Sequence, residues 1–222
     1  MKIRDNQSFS KDHKEMKLVE KHALWLRLNH WFNVPLLGLM IWSGLLIYWA
    51  NGVYWPFFPD WFYESLALKH QLSDGLSVHF AVGWLFIGNG LLYLLFLAVS
   101  GHWRELFPNR QTPKWVLPTI LHDLGLRHQP LPAEKFNAMQ RLAYTSAIGI
   151  GVLVVLSGFA IYKPVQLSWL TTLFGGYKGA RLVHFVMMLS LCAFTAVHVL
   201  QVLRAGWNNF RAMVAGFEVE RE

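Results

Sequence analysis

The chain has 222 residues, of which 54% are hydrophobic and only 15% are charged, so it is too apolar for an ordinary soluble domain. Its net charge of +7 comes from 20 Lys and Arg against 13 Asp and Glu, and a membrane topology explains this excess without a nucleic-acid partner. The single cysteine, Cys192, excludes internal disulfides and thiolate metal clusters, so any cofactor needs other ligands.

Four stretches without Asp, Glu, Lys or Arg follow one another along the chain. Each is long enough to cross the hydrocarbon core, which takes about 20 helical residues. We predict transmembrane helices at about 24–50, 76–100, 139–161 and 181–203. The first stretch is too long for the core of a signal peptide, and we expect it to be retained. No internal repeat is evident, and the sequence predicts an all-α fold, a polytopic membrane four-helix bundle that forms one domain over residues 1–222.

Lys and Arg are unevenly distributed around these spans. They are concentrated in the N-terminal arm and in the 101–138 connection, whereas the 51–75 connection contains only Lys69. Because basic residues collect on the cytoplasmic side, we expect both termini inside and the 51–75 and 162–180 connections outside.

The connections differ in composition. The first outer connection, NGVYWPFFPDWFYESLALKHQLSD, is rich in aromatic residues, which fits either an interfacial belt or a docking surface for a partner. The second contains an amphipathic segment that ends at Gly175 and Gly176, and it predicts a short interfacial helix. Five prolines interrupt residues 108–132, so the inner connection cannot form one long helix.

Histidine is the residue type that stands out inside the predicted spans. Six of the ten histidines lie in arms, connections or span edges, where a solvated ring needs no explanation, and these are His13, His22, His70, His102, His122 and His128. The other four are His30 in the first span, His79 in the second, and His184 and His198 in the fourth. An ionisable group inside a span is costly and usually functional. One alone could be a hydrogen bond between helices, but four need a joint explanation.

The four intramembrane histidines fall at two depths. His184 and His198 are 14 residues apart, which is about 21 Å along a helix and within about 40° of the same face. His30 is at the inner end of its span and His79 at the outer end of its own, so depth pairs His30 with His198 inside and His79 with His184 outside. Paired imidazoles across a bundle are typical ligands of b-type haem, which predicts two haem b groups.

Two arginines lie close in sequence to the proposed ligands. Arg27 precedes His30 by three residues, and Arg181 precedes His184 by three. Either guanidinium could pair with haem propionates, and anchoring at the membrane interface is the competing interpretation. Glycines in the first three spans would let a flat macrocycle approach the backbone, although close helix packing explains them equally well.

Several motifs give the chain a family resemblance. They are RLNHWF at 27–32, the isolated His79, SGFAIY at 157–162, and His184 followed 14 residues later by His198. With them the chain resembles the dihaem cytochrome b subunits of membrane-bound hydrogenases, formate dehydrogenases and thiosulfate reductases. The segments KPVQLSWLTTLFGGY and RAGWNNF make it most similar to the thiosulfate-reductase-type branch.

The resemblance implies the same two pairs of haem ligands and adds a quinone and a partner. Relatives bind menaquinone near the inner haem, through an Asn-x-Gly-Gln run and a later amide residue. Ubiquinone is the alternative quinone for this chain. Asn137, Gln140 and Asn208 match these positions, whereas Met139 replaces the glycine. The usual partner is a periplasmic molybdopterin oxidoreductase, with a hydrogenase or a formate dehydrogenase as alternatives, and the location is the bacterial inner membrane.

The predicted function is electron transfer between a quinone at the inner leaflet and a redox protein on the outer face. Each iron would have two protein ligands and no open position, so the subunit would do no bond-making chemistry apart from quinone oxidoreduction at the inner haem. Two other classes stay open. One is a haem-free membrane anchor, and the other is a transporter that uses the histidines as metal ligands or proton relays.

Overall fold

The computed structural model describes residues 16–50, 59–65, 72–132 and 134–221. The elements in chain order are β1 (Met16–Glu20), α1 (Leu24–Trp49), α2 (Asp60–Ser65), α3 (Leu72–Ser100), α4 (Trp103–Leu106), α5 (Thr112–Asp123), α6 (Ala138–Tyr162), α7 (Ser168–Leu173), α8 (Gly176–Ala215) and β2 (Phe217–Arg221). Among these residues, α1, α3, α6 and α8 are long and apolar enough to cross a membrane. The predicted helical membrane fold with four spans is confirmed.

The chain separates into two compact units. The larger, called here the membrane unit, is Asn29–Val199, and the terminal unit consists of Met1–Leu28 with Leu200–Glu222. The four intramembrane histidines all belong to the membrane unit. The predicted positions His13 and His70, and the segments 51–58 and 66–71 of the aromatic outer connection, lie outside the described residues.

In the membrane unit, apolar side chains point outwards and several polar ones point inwards. Leu91, Leu95 and Val99 on α3 are each at least 60% exposed, as lipid-facing residues should be. Asn89 on the same helix is buried, and its Oδ1 accepts a hydrogen bond of 2.8 Å from Asn29 Nδ2 on α1. Because lipid cannot satisfy an amide, such a bond stabilises the packing of two spans.

Short helices and a buried arginine organise the connections on either side of α6. The described part of the inner connection forms two short helices, α4 and α5, and not one long helix, as expected, although Pro118 lies inside α5. The guanidinium of Arg141, in the first turn of α6, is buried and donates to the carbonyl of Phe107 at 3.1 Å and to Glu134 at 3.0 Å. On the outer side, α7 ends before Gly175 and Gly176, whose φ angles of 80° and 86° suit glycine.

The terminal unit contains a two-stranded antiparallel sheet that the sequence did not predict. Strand β1 pairs with β2 in a register from Met16↔Arg221 to Glu20↔Phe217. The last helix is interrupted at Gly206, which has a φ of 82° and a ψ of 178°, and this backbone conformation favours glycine. The predicted end of the fourth span at residue 203 is therefore close to the break, and the helical residues after it lead into β2.

Candidate functional site

The rings of His79 and His184 lie side by side in the membrane unit. Their centroids are 6.2 Å apart and their planes make an angle of 72°. Both rings line a pocket of about 800 Å³, counting the open space at its mouth, whose other walls come from α1, α3, α6 and α8. These walls are mainly apolar, including Met40, Trp84 and Leu191. Two histidines from different helices thus share one apolar pocket.

The Nδ1 atom of each of these rings contacts a neighbouring span. His79 Nδ1 lies 3.0 Å from Ser43 Oγ on α1. His184 Nδ1 lies 3.2 Å from Ser157 Oγ and 2.9 Å from the carbonyl oxygen of Val154, both on α6. Each ring is therefore oriented by a span other than its own.

The two serine hydroxyls decide which ring nitrogen carries the proton. Ser43 Oγ donates to the carbonyl of Leu39 at 2.6 Å, and Ser157 Oγ donates to that of Leu153 at 2.7 Å. A hydroxyl has a single proton, so each serine oxygen can only accept from its histidine. The histidine Nδ1 must then be the donor, and Nε2 keeps the lone pair that a metal ion needs.

The second histidine pair, His30 and His198, has a similar spacing. The ring centroids are 6.1 Å apart, with an interplanar angle of 60°. His198 stacks on Phe194 at 5.9 Å, and the ring of Trp31 meets His30 edge-on at 5.3 Å. The structure thus brings together the same two pairs that the depth argument suggests.

The geometry of both pairs fits a haem held by two histidines. Two imidazoles that bind one metal ion from opposite sides, each through a nitrogen at about 2 Å, have centroids about 6 Å apart. Within the described part of the chain, no three His, Cys, Asp or Glu side chains come together, so the candidate ligands meet in pairs. Iron in a planar macrocycle already has four ligands and needs two more.

Glycine lies against each ring of the outer pair, His79 and His184. A Cβ atom added at Gly44 would lie 3.4 Å from His79 Cε1, and one added at Gly158 would lie 3.2 Å from His184 Cε1. These glycines follow Ser43 and Ser157 directly, within the matching segments SGLLIY at 43–48 and SGFAIY at 157–162. The expectation of no internal repeat therefore overlooked a short one. This repeat is also the signal from which the two serines could have been found.

Replacing Gly158 with valine is expected to displace His184, because the added carbons enter the space of the imidazole, and so to remove the haem that this pair is predicted to bind. The haem-to-protein ratio of the purified variant measures this loss. Gly38→Val is the matched control, since among the described residues no atom lies within 4 Å of a Cβ added there. An unchanged ratio in Gly158→Val would refute the role of this close contact.

The two arginines predicted to contact haem propionates have different surroundings. Arg27, in the terminal unit, donates from Nη1 to the carbonyl oxygen of Val214 at 2.7 Å and packs against Gly216. Arg181 is exposed on α8, one turn before His184. The propionate role stays a prediction for both, and Arg27 has a structural role besides.

The three amides predicted to bind a quinone make hydrogen bonds within the protein. Asn137 and Gln140 form a capping box at the start of α6, with bonds of 2.8 and 3.0 Å between side chain and backbone. Asn208 accepts from the backbone N–H of Val219 on β2 at 3.1 Å and donates to its carbonyl at 3.1 Å. Their quinone role stays a prediction.

Comparison with known proteins gives one family and one relative. The sequence model of the family described as Prokaryotic cytochrome b561 matches residues 21–216, a range that includes all four intramembrane histidines. The Putative protein-methionine-sulfoxide reductase subunit YedZ1 of Azospira oryzae is similar to this chain, with 38% identity over 182 residues that cover 82% of the chain and 89% of the relative.

Proposed function

Because the chain belongs to the prokaryotic cytochrome b561 family and is an integral membrane protein of a type that binds haem b, we propose that it holds two haems and transfers electrons across the membrane. The observation that carries this proposal is the pair of imidazole spacings, 6.2 Å and 6.1 Å. If the protein were a haem-free anchor, the two distances between imidazole rings would have no explanation. When bound, a haem supplies a one-electron couple between Fe(III) and Fe(II).

Each of the two proposed haems is bound by two of the four histidines. His79 and His184 hold the outer one, and His30 and His198 hold the inner one. Because α8 contributes His184 and His198, which are 14 residues apart, this helix sets the distance between the two sites at about 21 Å of helix length. The apolar walls of the outer pocket exclude water and limit the reorganisation that accompanies a change of charge.

We place the membrane electron donor, a menaquinol or ubiquinol, near the inner pair. Asn137, Gln140 and Asn208 already use their amide groups within the protein, so a quinone would have to compete with the capping box and with β2. We therefore propose that Asn137 and Gln140 act by fixing the start of α6, not by direct contact with the quinone.

The outer partner is proposed to be a molybdopterin oxidoreductase that receives the electrons. The relative from Azospira oryzae is named as a putative subunit of a protein-methionine-sulfoxide reductase. Reduction of a sulfoxide to a thioether consumes two electrons and two protons and releases water. Electrons would then run outwards in two successive one-electron transfers. A hydrogenase or a formate dehydrogenase as partner would drive them inwards.

The orientation with both termini in the cytoplasm of a bacterium is part of the same proposal. It is supported by the basic residues of the 101–138 connection, including Arg104, Arg110 and Lys114. Reporter fusions at both ends should be active only in their cytoplasmic form, and an active periplasmic fusion at either end would reverse the assignment of the two haems.

Quinol-driven reduction tests the proposed function. The purified protein, reconstituted with a soluble menaquinol analogue, should show reduction of both haems, and addition of the co-purified outer partner with a methionine sulfoxide substrate should reoxidise them. Reduction by dithionite but not by any quinol would contradict the quinone claim. A reduced protein that the partner and its sulfoxide leave reduced would contradict the outward flow.

A further inference from the structure

The outer site, around His79 and His184, consists of two halves with the same construction. Each half is formed by two helices. Ser43 on α1 contacts the histidine of α3, and Ser157 on α6 contacts the histidine of α8. In each case the serine donates to the carbonyl four residues earlier and a glycine follows it against the ring. Both serine side chains are fully buried. The two serines agree in the histidine that each contacts, in the direction of the serine hydrogen bond and in the glycine that follows. The arrangement is therefore a repeated device and not a chance contact.

The backbone takes part in orienting the ring on the α6 side. The histidine on α8 also contacts the carbonyl oxygen of Val154, three residues before Ser157. The carbonyl of Met40, three residues before Ser43, is the corresponding backbone group near the histidine on α3. The ring N–H of His184 is thus shared between a serine oxygen and a carbonyl of the same helical turn. Removal of Ser157 would weaken this interaction without abolishing it.

The inner pair is arranged differently. His30 is itself on α1, and the contacts of His198 include stacking on Phe194. Among the described residues, the Ser-Gly device is seen at His79 and His184. It therefore provides a way to give the two haems different reduction potentials. In a redox titration, the haem of the inner pair serves as the internal reference.

We propose that Ser43 and Ser157 are a matched pair of positioning residues that lower the reduction potential of the outer haem. The inference rests on the dihaem function proposed above. An acceptor at Nδ1–H makes Nε2 a more basic ligand, and a more basic ligand stabilises Fe(III) relative to Fe(II). Because both serine protons are committed to backbone carbonyls, both oxygens act in the same direction and their effects add. The outer haem becomes the stronger reductant for a partner on the outer face.

Redox titration of the intact protein in detergent tests the proposal with Ser43→Ala, Ser157→Ala and the double variant. Each single variant should raise the outer midpoint, so that the ratio of ferric to ferrous outer haem at a fixed potential falls about threefold to tenfold, tenfold being about 59 mV for one electron. The double variant should show the larger shift. The midpoint of the inner haem should stay at its wild-type value in all three.

Ser190→Ala is the matched control. Among the described residues, the hydroxyl of Ser190 on α8 hydrogen-bonds only to the carbonyl of Val186, four residues earlier and at 2.9 Å. This variant removes the same helical bond without touching a ligand, so it should shift neither midpoint. A shift as large as that of the other serine variants would overturn the proposal.

Further outcomes of these experiments also support or contradict the proposal. Ser43→Cys and Ser157→Cys, which keep a weak acceptor of similar size, should give intermediate midpoints. Loss of the outer haem alone from an alanine variant would support the positioning role, and loss of both haems would contradict it. Two retained haems with unshifted midpoints in both alanine variants would overturn the inference while leaving the dihaem function intact. Failure of the dihaem function would instead appear in the wild-type protein, as fewer than two haems per chain.

Discussion

Replacing His79 with alanine is expected to remove one haem and to leave the other, so that the haem content of the purified protein falls by about half. Replacing His184 should give the same result, because the two rings, 6.2 Å apart, would bind one iron. The pyridine haemochrome assay measures the content, and the midpoint of the remaining haem should match the inner step of the wild-type titration.

His122→Ala is the control for this pair of variants. His122 is exposed on α5, so its loss should leave both haems in place. Unchanged haem content in His79→Ala, or different surviving haems in His79→Ala and His184→Ala, would contradict the outer pairing.

Loss of His30 or His198, the ligands of the inner haem, should instead change the rate at which electrons reach the outer haem. In His30→Ala or His198→Ala, quinol-driven reduction of the outer haem is expected to fall to the background rate, while dithionite still reduces this haem. The reason is that the inner pair would lie between the proposed quinone and the outer haem. Stopped-flow absorbance measures the rate.

His102→Ala, an exposed position before α4, serves as control for the inner pair and should reduce at the wild-type rate. If the outer haem of His198→Ala were reduced by quinol as fast as in the wild type, electrons would enter at the outer site. The inner haem would then have no place in the relay.

The fold was predictable to the extent that lipid imposes it. Runs without charge gave the four spans, because a membrane leaves few alternatives to an apolar helix. The start of α8 at Gly176 and the break at Gly206 depend on local backbone conformation, and the predicted span of 181–203 contains neither. The sheet of β1 and β2 could not be foreseen, since it pairs residues from opposite ends of the chain.

The candidate site was predictable where helical geometry alone decides. The spacing of His184 and His198 gave their depths, and family membership confirms a membrane cytochrome b. The thiosulfate-reductase branch and the second haem stay predictions. Ser43 and Ser157 were missed because a single serine next to a glycine in a span is common, and the repeat that links the two positions was overlooked. The packing of neighbouring helices then shows that each serine meets a histidine.

One local signal has two interpretations. Asn137 followed three residues later by Gln140 matches a capping box at the start of a helix, and the structure contains that box. The resemblance suggested a quinone site for the same residues. Local backbone chemistry therefore accounts for both amides before a ligand is invoked.

The haem-to-protein ratio of the purified wild-type chain, measured together with its redox titration, tests the central claim most directly. The proposal predicts two b-type haems per chain, both low-spin, that titrate in two one-electron steps. A ratio of one or none, in protein purified from cells supplied with haem, would contradict the assignment of the four histidines to two haems.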